Sequence, residues 1–195
     1  MSTPRIAVIV GTTREGRFSE RLADFVMSQV SARDDLEFDL VDLRDHPLPM
    51  FDEPGPPAMF PSQRDEVAAW RDTVAAYDGY IIVTGEYNNS IPAVIKNAMD
   101  HVYAEWGRKP VAFAAYGSVG GARSVQHLRQ VAVELQMAPI RASVHIPGSD
   151  FMPVMMGQKQ LADLPYLSGS VKAMVDQLAW WTIALHQARA ADAAA

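Results

Sequence analysis

The chain has no cysteine in 195 residues. Disulfides, a thiol nucleophile, cysteine-ligated zinc and iron–sulfur clusters are therefore excluded, and a cytoplasmic address is compatible. Long apolar runs are also missing. No segment approaches the roughly 20 residues of a membrane-spanning helix, so no membrane role is expected. The opening MSTPRIAVIVGTTRE has one short apolar run and no small-residue cleavage pattern, which reads as a first strand rather than a signal peptide. Positive charge is scarce, with 17 Lys and Arg against 23 Asp and Glu and a formal charge of −6. That balance argues against nucleic acid or an anionic membrane as the main partner. His46, His101, His127, His145 and His186 lack paired metal-site spacing, and neither H-E-x-x-H nor G-x-S-x-G occurs. No metal site is expected, and the histidines read as ordinary surface or core residues.

What is present is an ordinary globular composition, 49% hydrophobic and 21% charged. A chain of this length is expected to form one domain that buries about 70% of its unfolded surface. We assign it to residues 1–187 and read the alanine-rich 188–195 as a frayed, disordered tail. Short β-branched runs at 5–10, 38–43, 80–84, 111–116 and 141–146 predict five strands. Helical patterns fall at 18–30, 62–77, 92–103, 122–137 and 168–187. Such alternation implies parallel strands joined by right-handed crossovers, hence a doubly wound sheet with helices on both faces. Two stretches resist the pattern and read as long irregular loops serving a site or partner: RDHPLPMFDEPGPPAMFP and PGSDFMPVMMGQKQLADLPYLSG. The final stripe of Val171, Met174, Val175, Leu178, Trp181 and Leu185 reads as core or subunit interface.

The chemistry begins at GTTREGRFS, residues 11–19, directly after the first strand. Gly11 and Gly16 are spaced like the glycines of the nucleotide loop G-x-x-x-x-G-K-[ST], but Arg17 replaces its lysine and Phe18 its magnesium-binding hydroxyl. Free N–H groups at a helix start, with Thr12, Thr13, Arg14, Arg17 and Ser19, suit a single phosphate without metal. From this stretch alone, an anion site and a charged turn capped by Ser19 are equal readings. In a parallel sheet, however, GEYNNSIP after the third strand and YGSVGGAR after the fourth reach the same edge. Three such loops together make a ligand site the better reading.

The motifs resemble those of the NAD(P)H-dependent FMN reductase family of flavodoxin-like proteins. Gly11, Thr12, Thr13, Arg14, Glu15, Gly16 and Arg17 follow its first-loop pattern G-S-x-R-x-G-R/S. Glu86, Tyr87, Asn88, Ser90 and Pro92, then Lys96, Asn97, Ala98 and Asp100, follow P-E-Y-N-x-S-x-P and K-N-A-x-D, with Gly85 in place of the proline. Gly117, Ser118, Gly120, Gly121 and Arg123 follow G-S-x-G-G-x-R, and LPMFDEP is similar to the second loop. The resemblance spans about residues 5–140 and implies a flavodoxin-like five-stranded parallel sheet. It also implies that Thr12, Arg14, Arg17 and Ser19 hold the FMN phosphate. Gly85, Glu86, Tyr87 and Asn88 would border the isoalloxazine ring, and Ser118, Gly120 and Gly121 its other polar edge. The implied activity is hydride transfer from NADPH or NADH to FMN and onward to a quinone, azo compound, free flavin or similar small-molecule acceptor. No catalytic protein group is assigned, because the flavin carries the reaction. A homodimer or homotetramer is implied, with Trp106 and the Trp180, Trp181 pair as packing or interface residues. Two other readings remain at this point: a non-enzymatic FMN electron carrier of flavodoxin type, whose T/S-x-T-G-x-T loop is absent, and a flavin-free binding module on the same fold.

Overall fold

A computed structural model describes residues 3–193. The chain runs β1 (Arg5–Val10), α1 (Phe18–Val30), β2 (Glu37–Asp42), α2 (Asp65–Ala75), β3 (Gly79–Gly85), α3 (Ala93–Asp100), β4 (Pro110–Gly117), α4 (Ala122–Glu134), β5 (Ala138–Pro147), α5 (Gly148–Met155) and α6 (Leu167–Ala193). All strand pairs are parallel, in the order β2-β1-β3-β4-β5. This is the flavodoxin-like doubly wound arrangement. Direction of winding reverses between β1 and β3, so the loops leaving those strands part at that point and open a crevice.

Alternation along each strand sorts its side chains to two faces. From β1, Ile6, Val8 and Val10 enter a core shared with Phe18, Leu22 and Val26 of α1 and Val175 and Leu178 of α6. Ala7 and Ile9 enter the opposite core, with Trp70 of α2, Ile95 of α3, Trp106 and Leu128 of α4. The inner strands β3 and β4 are buried along their whole length, as expected of a parallel sheet covered on both faces.

Two expectations are corrected. Part of the second supposed irregular loop is helical: α5 begins at Gly148, directly after β5, and a 3-10 turn follows at Leu161–Asp163. Pro153 sits inside α5 and obscured it in the sequence. Its position is held because Val154 packs into the core beside Phe151 and Met155. The supposed frayed tail continues α6 to Ala193, where Arg189 donates to the Arg108 carbonyl at 2.7 Å and to Asp78 at 2.6 Å. Ala194 and Ala195 lie outside the described residues. The other stretch, following β2, carries no regular element until α2.

Candidate cofactor site

The first loop leaves β1 where Gly11 donates its N–H to the Val83 carbonyl at 2.8 Å. Thr12 and Ser19 are fully buried and their hydroxyls are hydrogen-bonded to each other, which sets the loop back against the first turn of α1. Ser19 thus lies inside the helix and is not its cap; Arg17 occupies that position without a side-chain capping bond. Thr13, Arg14, Glu15 and Gly16 are exposed around the mouth.

The two arginines of this loop have different placements. Arg14 is exposed, with its guanidinium over the Tyr87 ring, 5.7 Å from the centroid. The Arg17 side chain is fully buried. Its guanidinium donates to the Thr12 carbonyl and, through both terminal nitrogens, to the Asp42 carboxylate, one of these bonds at 2.8 Å. Burial opposes charge on Asp42, but the bonds from Arg17 and the Arg44 amide override it and hold the carboxyl below its usual range. Arg17 therefore fixes the loop from beneath rather than reaching its mouth. Asp42 was invisible to motif reading, because it is 25 residues away and joins the loop only through β1–β2 register, which places it beside Val10.

In the third loop, Asn88 and Asn89 take φ of 48° and 69°, and Tyr87 and Ser90 exchange backbone hydrogen bonds at 3.0 Å. Asparagine tolerates this left-handed backbone better than most residues, so N-N makes a tight reversal that exposes both amides. The Glu86 side chain does not face the mouth. It accepts from the Arg123 amide at 3.0 Å and from Arg123 Nε at 2.7 Å, joining the third loop to α4. Burial works against its charge, but these bonds prevail and lower its pKa. Ser90 Oγ and His127 Nδ1, 2.8 Å apart, add a second tie to α4.

The fourth loop exposes Ser118 and Val119, while Gly120 and Gly121 are buried. Gly121 has φ of 71°, and an added Cβ would stand 2.7 Å from Ala115 Cβ and 3.0 Å from the Tyr116 backbone. The glycine is thus required by the close approach of α4 to β4. Gly85, which stands where the family pattern has proline, faces the Tyr116 ring: a Cβ there would lie 3.1 Å from both Cζ and the hydroxyl. Tyr87 and Tyr116 each bury a hydroxyl that has no well-formed hydrogen bond among the described residues.

The second loop is strapped across this rim. Arg44 donates to the carbonyls of Thr13 and Arg14 at 3.2 and 2.8 Å. Asn97, quoted above only as part of K-N-A-x-D, brackets the loop: it accepts from the Phe51 amide and donates to the Pro49 carbonyl, both at 2.8 Å. His101 Nε2 donates to the same carbonyl at 2.8 Å. A recess of about 260 Å³ lies between these parts, lined by residues including Thr13, Arg44, Leu48, Val94 and Asn97. A larger hollow, about 660 Å³, lies behind α1 against Gly157–Ala162 and contains none of the loop residues. The smaller one is the recess that touches the motif loops, with Thr13 of the first loop and Asn97 of α3 in its wall.

This donor set fits a flavin mononucleotide: hydroxyls and helix-start amides for one phosphate, no magnesium-binding side chain at the buried Phe18, and polar loop edges beside an open recess. The profile of the NADPH-dependent FMN reductase family matches residues 4–150. An NAD(P)H-dependent FMN reductase of Schizosaccharomyces pombe is 36% identical over 149 residues, covering 74% of each chain. A 2-hydroxy-1,4-benzoquinone reductase of a Burkholderia species is 38% identical over 141 residues, 68% of this chain and 72% of that one. Among solved structures, the flavoenzyme NAD(P)H:(acceptor) oxidoreductase FerB of Paracoccus denitrificans superposes with a TM-score of 0.66 over 90% of this chain and 97% of its own, at 23% identity. Sheet order, loop chemistry and the match across three quarters of its length agree, and the chain belongs to the NADPH-dependent FMN reductase family.

Proposed function

We propose that the rim holds FMN and that the protein uses NADPH or NADH to reduce small acceptors of the quinone or azo class. Thr12, Ser19, Arg14 and the first amides of α1 take the phosphate; Arg17 keeps that loop in place through Asp42. Gly85, Glu86, Tyr87 and Asn88 border the ring on one side, with Glu86 braced by Arg123, and Ser118, Gly120 and Gly121 border the other. Bound there, the flavin would supply the hydride and electron transfer between nicotinamide and acceptor. The protein's part is to position and to shield. Asn97 and His101 hold Pro49–Phe51 beside the recess, and the Asn88 and Asn89 amides offer hydrogen bonds at the mouth. No side chain at the rim is assigned as acid, base or nucleophile.

The observation that carries this reading is the buried Thr12–Ser19 hydroxyl pair at the start of a 13-residue helix, under an exposed arginine and without a magnesium-ligating neighbour. A homodimer or homotetramer is supported by Trp180 and Trp181 on α6, which are 66% and 36% exposed, beside the part-exposed Ile183. A cytoplasmic site of action accords with the NAD(P)H supply the reaction needs. The test is direct: purify the protein, identify the released flavin by mass, and add NADPH anaerobically. FMN and bleaching of its visible absorption are expected; FAD alone, or no flavin after reconstitution, would overturn the proposal. Steady-state kinetics should give parallel double-reciprocal lines, since nicotinamide and acceptor use one recess in turn.

A further inference from the structure

We propose that the Tyr116 hydroxyl is an additional donor to the FMN phosphate, so that this tyrosine, which opens the fourth-loop stretch but is not part of the family pattern, helps the protein select FMN over riboflavin. The inference rests on the FMN reading above. Tyr116 is the penultimate residue of β4, only 5% exposed, and its hydroxyl finds no partner among the described residues. Leaving a buried hydroxyl unpaired is costly, so such an atom marks a place where a ligand or water completes the bonding.

Its surroundings identify the ligand chemistry. The hydroxyl lies close to those of Thr12 and Ser19 without a well-aligned hydrogen bond to either, and it stands over Gly85 at the end of β3. It therefore sits between the ends of β1, β3 and β4, at the crevice where winding reverses. Thr12 and Ser19 share one hydrogen bond, so one of their two hydroxyl protons is not used between them. The phenol contributes a second, and the opening amides of α1 contribute more. A cluster rich in donors suits an acceptor-only dianion such as a phosphate monoester, and among the described residues no carboxylate is bonded to these hydroxyls. Burial also raises the Tyr116 pKa, keeping the phenol protonated and able to donate.

The ring is held well enough to present that atom. Phe18 packs edge-on at 4.9 Å and Phe151 of α5 at 5.6 Å, while Phe18 and Phe151 meet at 5.5 Å. Gly85 provides the space, since a Cβ there would press on the hydroxyl itself. This part of the cradle is built by α5 and by β3–β4 register, where Gly85 stands opposite Tyr116.

The test uses Tyr116→Phe, with Ser19→Ala as a control, each freed of flavin and titrated with FMN and with riboflavin by flavin fluorescence. For Tyr116→Phe, the FMN dissociation constant should rise on the order of 10-fold or more, because a bond to a charged group is lost. Riboflavin affinity should stay within about 2-fold, and the flavin-free protein should melt no lower than the parent, because the deleted hydroxyl had no partner. If Ser19→Ala weakens FMN selectively but Tyr116→Phe changes it less than about 3-fold, the tyrosine's role is refuted while the FMN site stands. If Tyr116→Phe weakens riboflavin as much as FMN, the hydroxyl does not act on the phosphate and the inference also falls. If neither variant alters the preference for FMN over riboflavin, the phosphate cradle itself is misassigned and the inference falls with it.

Discussion

The two edges of the sheet use buried polar groups in opposite ways. At the amino-terminal edge they are tied to each other. Lys109 donates to the Val74 and Ala75 carbonyls and to the Tyr80 hydroxyl at 3.1 to 3.3 Å, and Tyr80 donates to Val74 at 2.8 Å. Asp78 accepts from the Arg5 amide, His186 and Arg189. At the carboxyl-terminal edge, bonds are left open. Six buried side-chain nitrogen or oxygen atoms lack a partner among the described residues, and four of them, on Arg17, Tyr87, Tyr116 and Ser124, belong to the strand end, loops and first helical turns of that edge. A paired network stabilises the fold; an unpaired one lowers stability but leaves capacity for a ligand.

Arg17 is where this division should break. It lies at the binding edge yet is wired like the structural one, so Arg17→Ala should remove about 3 kcal/mol of stability by leaving Asp42 and the Thr12 carbonyl without their donor. Urea denaturation of the flavin-free protein measures this. Arg14→Ala tests the opposite pole: stability should change by less than about 0.5 kcal/mol, while FMN binding weakens by about 1.5 to 3 kcal/mol, roughly 10- to 150-fold. Flavin fluorescence reads the second effect, and equal FMN affinity in variant and parent would remove Arg14 from the site.

The structural edge has its own pH signature. Burial lowers Lys109 from 10.5 to about 8. Below pH 8 both folded and unfolded chains hold the proton, and its contribution is flat. From pH 8 to 10.5 the unfolded chain binds more protons than the folded one, so stability should rise with pH, by at most about 1.4 kcal/mol per unit. Lys109→Met should abolish that slope in denaturation midpoints across pH 8–10, without altering FMN affinity. The smallest effect belongs to the end of α6. Truncation after Gln187 removes the Arg189 bonds to Asp78 and Arg108 and should lower stability by about 1 kcal/mol, read as a small drop in Tm.

Local physics made much of the molecule legible. The 5–10 strand and the 18–30 helix match β1 and α1 to the residue, because a β-branched run followed by glycine-bounded turn chemistry and a 3.6-residue apolar period leaves little choice. Elements defined by weaker signals moved: α2 is shorter than its pattern, starting at Asp65, and α5 was hidden by Pro153. The alanine-rich end looked like a tail because its own composition supplies no anchor; its anchors, Asp78 and the Arg108 carbonyl, lie at another sheet edge.

By itself the sequence determined the alternating parallel fold, the three loops gathered at one edge, and the absence of a magnesium hydroxyl at position 18. These follow from periodicity, chain direction and residue chemistry, which act over short separations. Tertiary structure alone decided which arginine points outward and which is locked to Asp42, that Glu86 turns away to Arg123, and that Tyr116 places its buried hydroxyl close to Thr12 and Ser19. Those assignments depend on strand register and on packing between residues 25 to about 100 positions apart, and nothing in the local chain encodes which distant partner will be in reach.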